Sequence, residues 1–263
     1  MNQPNFFLIG AQKTGTTYLS TILLKHREVF FSNPKELFFF NKDCINQNDY
    51  RDYCDKYFLS AAKRIGEGST TYLQSSIAPR NIKKFVPNTP LFIVCLRHPL
   101  EKAVSFFIHN WRRDRYPTDC SILSAGASNR QLSPLYSSFY ADGIQNWLET
   151  YDYQRHQFLF LQQEELSANS DSFILKATEF LNISQSKYKT SNKVNRGLVP
   201  IQNDKLDSLD FQISDSTSGA VKSVSIPLRD LKELHYKLLD QKDKVEALTG
   251  LSLSHWESFP YGT

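Results

Sequence analysis

The sequence is poor in cysteine. It has four in 263 residues, at 44, 54, 95 and 120, and no CxxC pair. That argues against a disulfide scaffold and a cysteine-built zinc site; Cys95, inside an apolar run, reads as core. No stretch reaches the ~18 apolar residues of a membrane-spanning helix, so no membrane span is expected. The start, MNQPNFFLIG, lacks the basic residues and long apolar stretch of a signal peptide. A soluble, cytoplasmic protein without a targeting segment is the expectation. Charge of one sign is also scarce. The balance of 31 Lys+Arg against 27 Asp+Glu leaves +4, too little for wholesale nucleic-acid binding, though a local basic pocket for an anionic ligand fits it. No linker, repeat or low-complexity tract divides the chain, so a single domain over 1–263 is expected.

What is present is apolar and aromatic. Apolar residues make up 40%, and 19 are Phe, enough for one well-packed body. Short apolar runs alternate with helical patterns. Strands are predicted at 5–9, 63–68, 91–96 and 157–162. Helices are predicted at 16–26, 76–86, 99–113, 138–151, 172–183 and 227–248, the last closed by Gly250 as a left-handed cap. Phe139, Ile144, Trp147, Leu148 and Tyr151 share one broad face of the 138–151 helix and read as core. The stretches 114–134 and 184–226 read as loops. This alternation predicts an α/β fold: a P-loop-like three-layer sandwich with a central parallel sheet flanked by helices. Ligands of such sheets bind at the carboxyl ends of the strands, which puts the chemistry just after FFLI, GEG and LFIVCL.

After FFLI comes GAQKTGTTYL. Gly10 and Gly15 have four residues between them, the spacing of a phosphate loop, and Gly15 opens a helix whose N–H groups can point at an anion. Thr14, Thr16 and Thr17 add hydroxyls. A nucleoside triphosphatase would carry lysine after the second glycine, then Ser or Thr for magnesium. Here Thr16 holds that place, and Lys13 sits two residues before Gly15. LFIVCL ends in Arg97 and not in an acid that could hold the ion's water. The ligand this implies is a phosphate ester handled without an obligatory metal.

The second stretch, LFIVCLRHPLEKAVSFF, repeats that logic. Arg97 stands at a strand's carboxyl end, and Ser105 lies about two helical turns on. A guanidinium grips a phosphate in bidentate fashion, and a hydroxyl can donate beside it. His98, adjoining Arg97, reads as a capping or packing residue. A nucleotide phosphorylated at both its 5′ and 3′ ends could bridge the two sites.

The two stretches together resemble the sulfotransferases that use 3′-phosphoadenosine 5′-phosphosulfate (PAPS), in the bacterial and heparan sulfate, or glycosaminoglycan-type, branch. The resemblance implies that GAQKTGTTYL is the 5′-phosphosulfate loop, with Lys13, Thr14, Gly15, Thr16 and Thr17 on the donor. It places Arg97 and Ser105 on the 3′-phosphate. PKELFFF (34–40) is similar to the segment carrying a catalytic glutamate, here Glu36, and GEGSTTYL (66–73) to a substrate-side segment. KVNRG (193–197) resembles the start of a loop that folds over the nucleotide, which implicates Arg196 and Gly197. Two departures fall on the acceptor side: Phe38 where relatives often have histidine, and Gly68 where many have lysine.

The implied reaction moves SO3 from PAPS to a hydroxyl or amine of a glycan or other small molecule, without a metal. Lys13 opposes charge on the leaving phosphate. Glu36, beside the aromatic run LFFF, takes the acceptor's proton, with His109 as the alternative base. Two rivals remain at this point: a phosphate-loop kinase or ATPase, and a non-catalytic module binding the desulfated nucleotide, PAP.

Overall fold

A computed structural model of the chain describes residues 1–185, 200–201, 207–214 and 221–262. Its first half runs β1 Phe6–Gly10, α1 Thr16–Leu24, β2 Val29–Phe31, α2 Gln47–Tyr57, β3 Arg64–Glu67, α3 Ala78–Phe85, β4 Leu91–Leu96 and α4 Pro99–Trp111. The second runs α5 Pro134–Ser137, α6 Ala141–Thr150, β5 Phe158–Gln162, α7 Gln163–Ala168, α8 Ser170–Phe180, β6 Pro200–Ile201, β7 Ser208–Ser214, β8 Val221–Pro227, α9 Leu228–Leu238 and α10 Asp240–Thr249. These elements gather into two compact units. One comprises Met1–Arg97 and Tyr140–Val194, the other His98–Phe139 and Asn195–Thr263.

The first unit is built on a five-stranded sheet in the order β2-β3-β1-β4-β5, and every pair in it is parallel. Strands covered on both faces must be apolar without alternation; all five residues of β1 are buried. On one face, Leu19 and Leu23 of α1, Phe173 and Ala177 of α8, and Leu181 just after it pack on Phe6, Leu8, Ile93 and Cys95. The other face is aromatic. Phe7 stacks on Phe92 at 6.0 Å, and Phe92 meets Trp147 of α6 at 4.9 Å and Tyr151, which caps that helix, at 4.7 Å. Phe7 also touches Phe40, which meets Tyr50 and Tyr53 of α2. Each such ring contributes ~1.5–3 kcal/mol by leaving water. The expected three layers with a central parallel sheet are therefore present.

Three elements of this unit have no counterpart in the predicted pattern: β2, only three residues long, α2 and α7. The Asn46 side chain accepts from the Asn48 and Asp49 amides, and Asp49 accepts from the Asn46 amide, so a capping box starts α2.

The second unit corrects the sequence reading in three places. Residues 184–226 do not run entirely as loop: β6, β7 and β8 form an antiparallel sheet. Its strands alternate, with Leu209, Phe211, Val224 and Ile226 turned towards Leu100, Val104 and Phe107 of α4 and Leu231 and Leu234 of α9. The intervening Ser, Asp and Lys residues carry turn chemistry in the sequence but here line the strands' outer side. The expected 227–248 helix is two helices, α9 and α10, that break at Leu239. Gly250, at φ 75°, does cap the second. The 114–134 stretch contains a 3-10 turn, Arg130–Leu132, and buries Ile122 and Ala125. Phe139 precedes α6 rather than belonging to it, whereas Trp147 and Tyr151 are core.

Candidate active site

The carboxyl ends of β3, β1 and β4 are neighbours in the sheet, and each runs into a segment singled out above. Gly10 pairs with Val94 after a one-residue shift in the β1–β4 ladder, and the Ala11 amide donates to the Cys95 carbonyl at 2.8 Å. The start of the Gly10 loop is thus tied two residues before Arg97. A Cβ on Gly10 would come within 2.9 Å of the Thr70 carbonyl oxygen, so the loop also lies directly against the segment after β3.

Within the loop, Lys13 and Gly15 both adopt left-handed backbone, at φ 66° and 88°. That conformation is uncommon for a lysine, and its cost, of order ~1–3 kcal/mol, is borne where surrounding structure demands it. The Thr14 hydroxyl is spent inside the loop: it donates to the Ala11 carbonyl at 2.8 Å, and the side chain is fully buried. What Thr14 offers a ligand is therefore its main-chain N–H. Thr16 is buried and Thr17 exposed. Gly15 caps α1 with no side-chain hydrogen bond, and the first turn holds no acidic residue. The N–H groups of that turn lack the usual side-chain acceptor and suit an anion. The residues present therefore fit a phosphosulfate group.

Glu36 lies in a turn with no regular structure of its own. It is moulded on residues 66–70. The Ser32 amide donates to the Gly66 carbonyl at 2.9 Å and the Glu36 amide to that of Gly68 at 2.8 Å. Glu36 and Phe38 are both left-handed, at φ 69° and 53°. The Glu36 carboxylate accepts from the Thr70 amide at 2.8 Å and from the Thr70 hydroxyl at 2.9 Å, and it pairs with the Lys35 ammonium. Two donors and a cation hold it half-buried in one orientation.

Glu67, the last residue of β3, was not singled out in the sequence. It is fully buried. Its Oε1 accepts from the Ser69 hydroxyl at 2.5 Å, while Oε2 meets no donor in hydrogen-bond geometry among the described residues. Burial pushes the carboxyl up to about 7; Ser69 and Tyr72 pull it down part of the way, and Glu36 raises it further. The only signal in the sequence was a lone acid between two glycines at a strand's end.

Arg97 is half-buried, and its carbonyl accepts from the fully buried Tyr140 hydroxyl at 2.8 Å, which pins the backbone where β4 ends. In the second unit, His98 caps α4: its Nδ1 accepts from the Leu100 amide, as a capping role requires. Pro99 takes the first turn, where a missing N–H costs nothing. Ser105 and His109 follow on α4, both half-buried. Arg196 and Gly197 lie outside the described residues.

The family model for the sulfotransferase domain matches residues 3–206. The chain belongs to the sulfotransferase family. The donor used in this family is PAPS. Among curated relatives it is 27% identical over 199 residues to the mouse bifunctional heparan sulfate N-deacetylase/N-sulfotransferase 3, covering 69% of this chain and 22% of that protein. It is 28% identical over 183 residues to the membrane-associated sulfotransferase kil1 of Dictyostelium discoideum, covering 65% and 35%. The chain thus spans about a fifth to a third of these relatives' length. A solved sulfotransferase from Alicyclobacillus acidocaldarius shares the fold at TM-score 0.71 and 20% identity, over 98% of this chain and 100% of that one. Among the described residues, no helix is long and apolar enough to cross a membrane.

Proposed function

We propose that the chain transfers the sulfuryl group of PAPS to a hydroxyl, or an amine, of a carbohydrate or other small acceptor, by in-line displacement without a metal ion. The observation that carries this reading is the sheet order. The adjacent carboxyl ends of β3, β1 and β4 place the Glu36 seat, the Lys13 loop and Arg97 side by side.

In this reading the uncapped first turn of α1 receives the 5′-phosphosulfate, and Arg97 grips the 3′-phosphate. Ser105 joins Arg97 on the strength of the family motif, as Arg196 and Gly197 join the nucleotide cover. Lys13 opposes the charge that grows on the bridging oxygen as sulfur leaves it. Glu36 takes the proton of the attacking hydroxyl or amine. Its Thr70 hydrogen bonds hold the carboxylate while Lys35 balances its charge. Metal independence is read from the donor set: Thr16 stands where a triphosphatase has its lysine, and Arg97 where it has an acid. The N-sulfotransferase relatives favour a glycan acceptor.

Isothermal calorimetry with PAP tests the reading. Binding is expected in the presence of EDTA, and it should weaken in Arg97→Ala and in Lys13→Ala. A folded wild-type protein that binds no PAP, or binds it only with magnesium, overturns the assignment.

A further inference from the structure

The mechanism above leaves Glu67 unused, yet a carboxyl with no exposed surface costs several kcal/mol if charged and unpaired. Its hydrogen bonds say what it does. The Ser69 hydroxyl donates to Glu67 Oε1 and itself accepts from the Phe38 amide at 2.9 Å. Phe38 is the second left-handed residue of the turn that presents Glu36. An ordinary hydroxyl has one proton; by fixing that proton on itself, Glu67 leaves the Ser69 lone pairs aimed at the turn. The next residue, Thr70, holds the Glu36 carboxylate directly. One four-residue run, 67–70, therefore seats both the backbone and the side chain of the candidate base.

We propose that Glu67 is a positioning residue for sulfuryl transfer: acting through Ser69, it locks the left-handed turn that presents Glu36. The proposal rests on the reading of Glu36 as the base. The charged and titratable groups facing Glu67 are Glu36 and Lys35 from that turn, Tyr72 following β3 and Tyr53 of α2. Of these, Tyr72 by hydrogen bonding and Lys35 by its charge favour the ionised form, and Lys35, the one cation among them, is already paired with Glu36. The two carboxylates thus share one cation, and the charge of one resists the charge of the other. Lys35 reaches this place over Gly68: a Cβ there would lie 3.5 Å from Lys35 Cε and 2.8 Å from Phe31 Cζ. A side chain at 68 would crowd the very cation that the pair shares.

The test needs no acceptor. Carbon-13 spectra of glutamate-labelled protein follow the Glu67 carboxyl through pH, and hydrogen exchange reports the Phe38 amide. In the wild type Glu67 should titrate near about 7, and in Glu36→Gln its midpoint should fall, because a like charge has gone. Glu67→Gln keeps an acceptor for Ser69 and should leave the Phe38 amide protected. Glu67→Ala and Ser69→Ala should each speed its exchange about tenfold, the loss of roughly one hydrogen bond. PAP affinity should stay within about twofold in all three, because none touches the Gly10 loop. A Glu67 midpoint that ignores Glu36→Gln, or a Phe38 amide equally protected in Glu67→Ala and wild type, overturns the proposal. A wild type that binds no PAP overturns the reading of the site instead and leaves the hydrogen-bond results standing.

Discussion

His98 should make the second unit sensitive to acid. The ring is 3% exposed. Its Nδ1 accepts from the Leu100 amide at 3.2 Å, so the tautomer carries its proton on Nε2, which donates to the Ser258 carbonyl at 3.1 Å. The His235 ring stacks on it at 5.7 Å. A second proton would have to go onto Nδ1, displacing the helix cap. Burial holds the group down at about 4, reinforced by His235 and His255 and opposed by Glu101 and the Ser258 hydrogen bond. An unfolded histidine titrates near 6.5. The folded state therefore takes up this proton later than the unfolded one. The stability that neutral His98 supplies is complete above about 6.5 and is lost as pH falls towards about 4. Integrated over that window the loss is about 3 kcal/mol, of which about 2 kcal/mol has gone by pH 5.

The assay compares wild type with His98→Asn by urea denaturation at pH 7.5 and pH 5. Asparagine caps helices well and does not titrate, but it forgoes the Ser258 link. The variant should be less stable by ~1 kcal/mol at pH 7.5. At pH 5 the gap should vanish or invert, because only the wild type has lost the titrating contribution. Glu67 acts in the opposite sense: its carboxyl is held up at about 7, so its contribution is present below the unfolded value and fades as pH rises through about 7. It is common to both proteins and cancels in the comparison. An equal gap at the two pH values would refute the argument, as would a His98 resonance titrating near 6.5.

Four further outcomes follow from the site. Lys13→Ala should lower the transfer rate ~10²–10³-fold, read with labelled PAPS and the best acceptor of a screen. Arg97→Ala should weaken PAP ~10–100-fold by calorimetry, and Arg97→Lys should restore only part, because a single ammonium cannot copy a bidentate grip. Gly15→Ala combines a residue at φ 88° with a Cβ 3.1 Å from Leu166 Cδ2. It should cost ~1–3 kcal/mol of stability and weaken PAP, both visible in a thermal melt with and without ligand. Thr70→Val keeps the amide donor to Glu36 and removes the hydroxyl. It should slow transfer about tenfold and leave PAP affinity alone; a variant that loses PAP instead would place Thr70 on the nucleotide.

The elements legible in the sequence were those whose burial leaves no choice of pattern. LFIVCL is β4 residue for residue, since a strand covered on both faces has to be a continuous apolar run. The glycine spacing of the Gly10 loop announced its turn, and Pro99 the start of α4. The β7–β8 pair was hidden because its inward residues, such as Phe211 and Val224, are spaced by Ser, Asp and Lys, whose local preference is for turns. β2 is too short to show a period. In the proposed site, Lys13 and Arg97 are candidates that position along the chain alone supplies. The Thr14 hydroxyl turns onto Ala11 three residues away through the loop's own backbone geometry, while the link from Glu67 through Ser69 to Phe38 depends on a contact between segments some thirty residues apart, and no local pattern carries that.

The order β2-β3-β1-β4-β5 has a consequence for how such a protein can change. In the proposed reading, donor loop, base seat and guanidinium hang from three strands adjacent in the sheet, so their spacing is inherited from inter-strand hydrogen bonding more than from any one loop. On that reading, drift in sequence can exchange what surrounds these anchors, and with it the proposed acceptor, while the distance between the proposed donor site and base stays as constant as the width of a β-ladder.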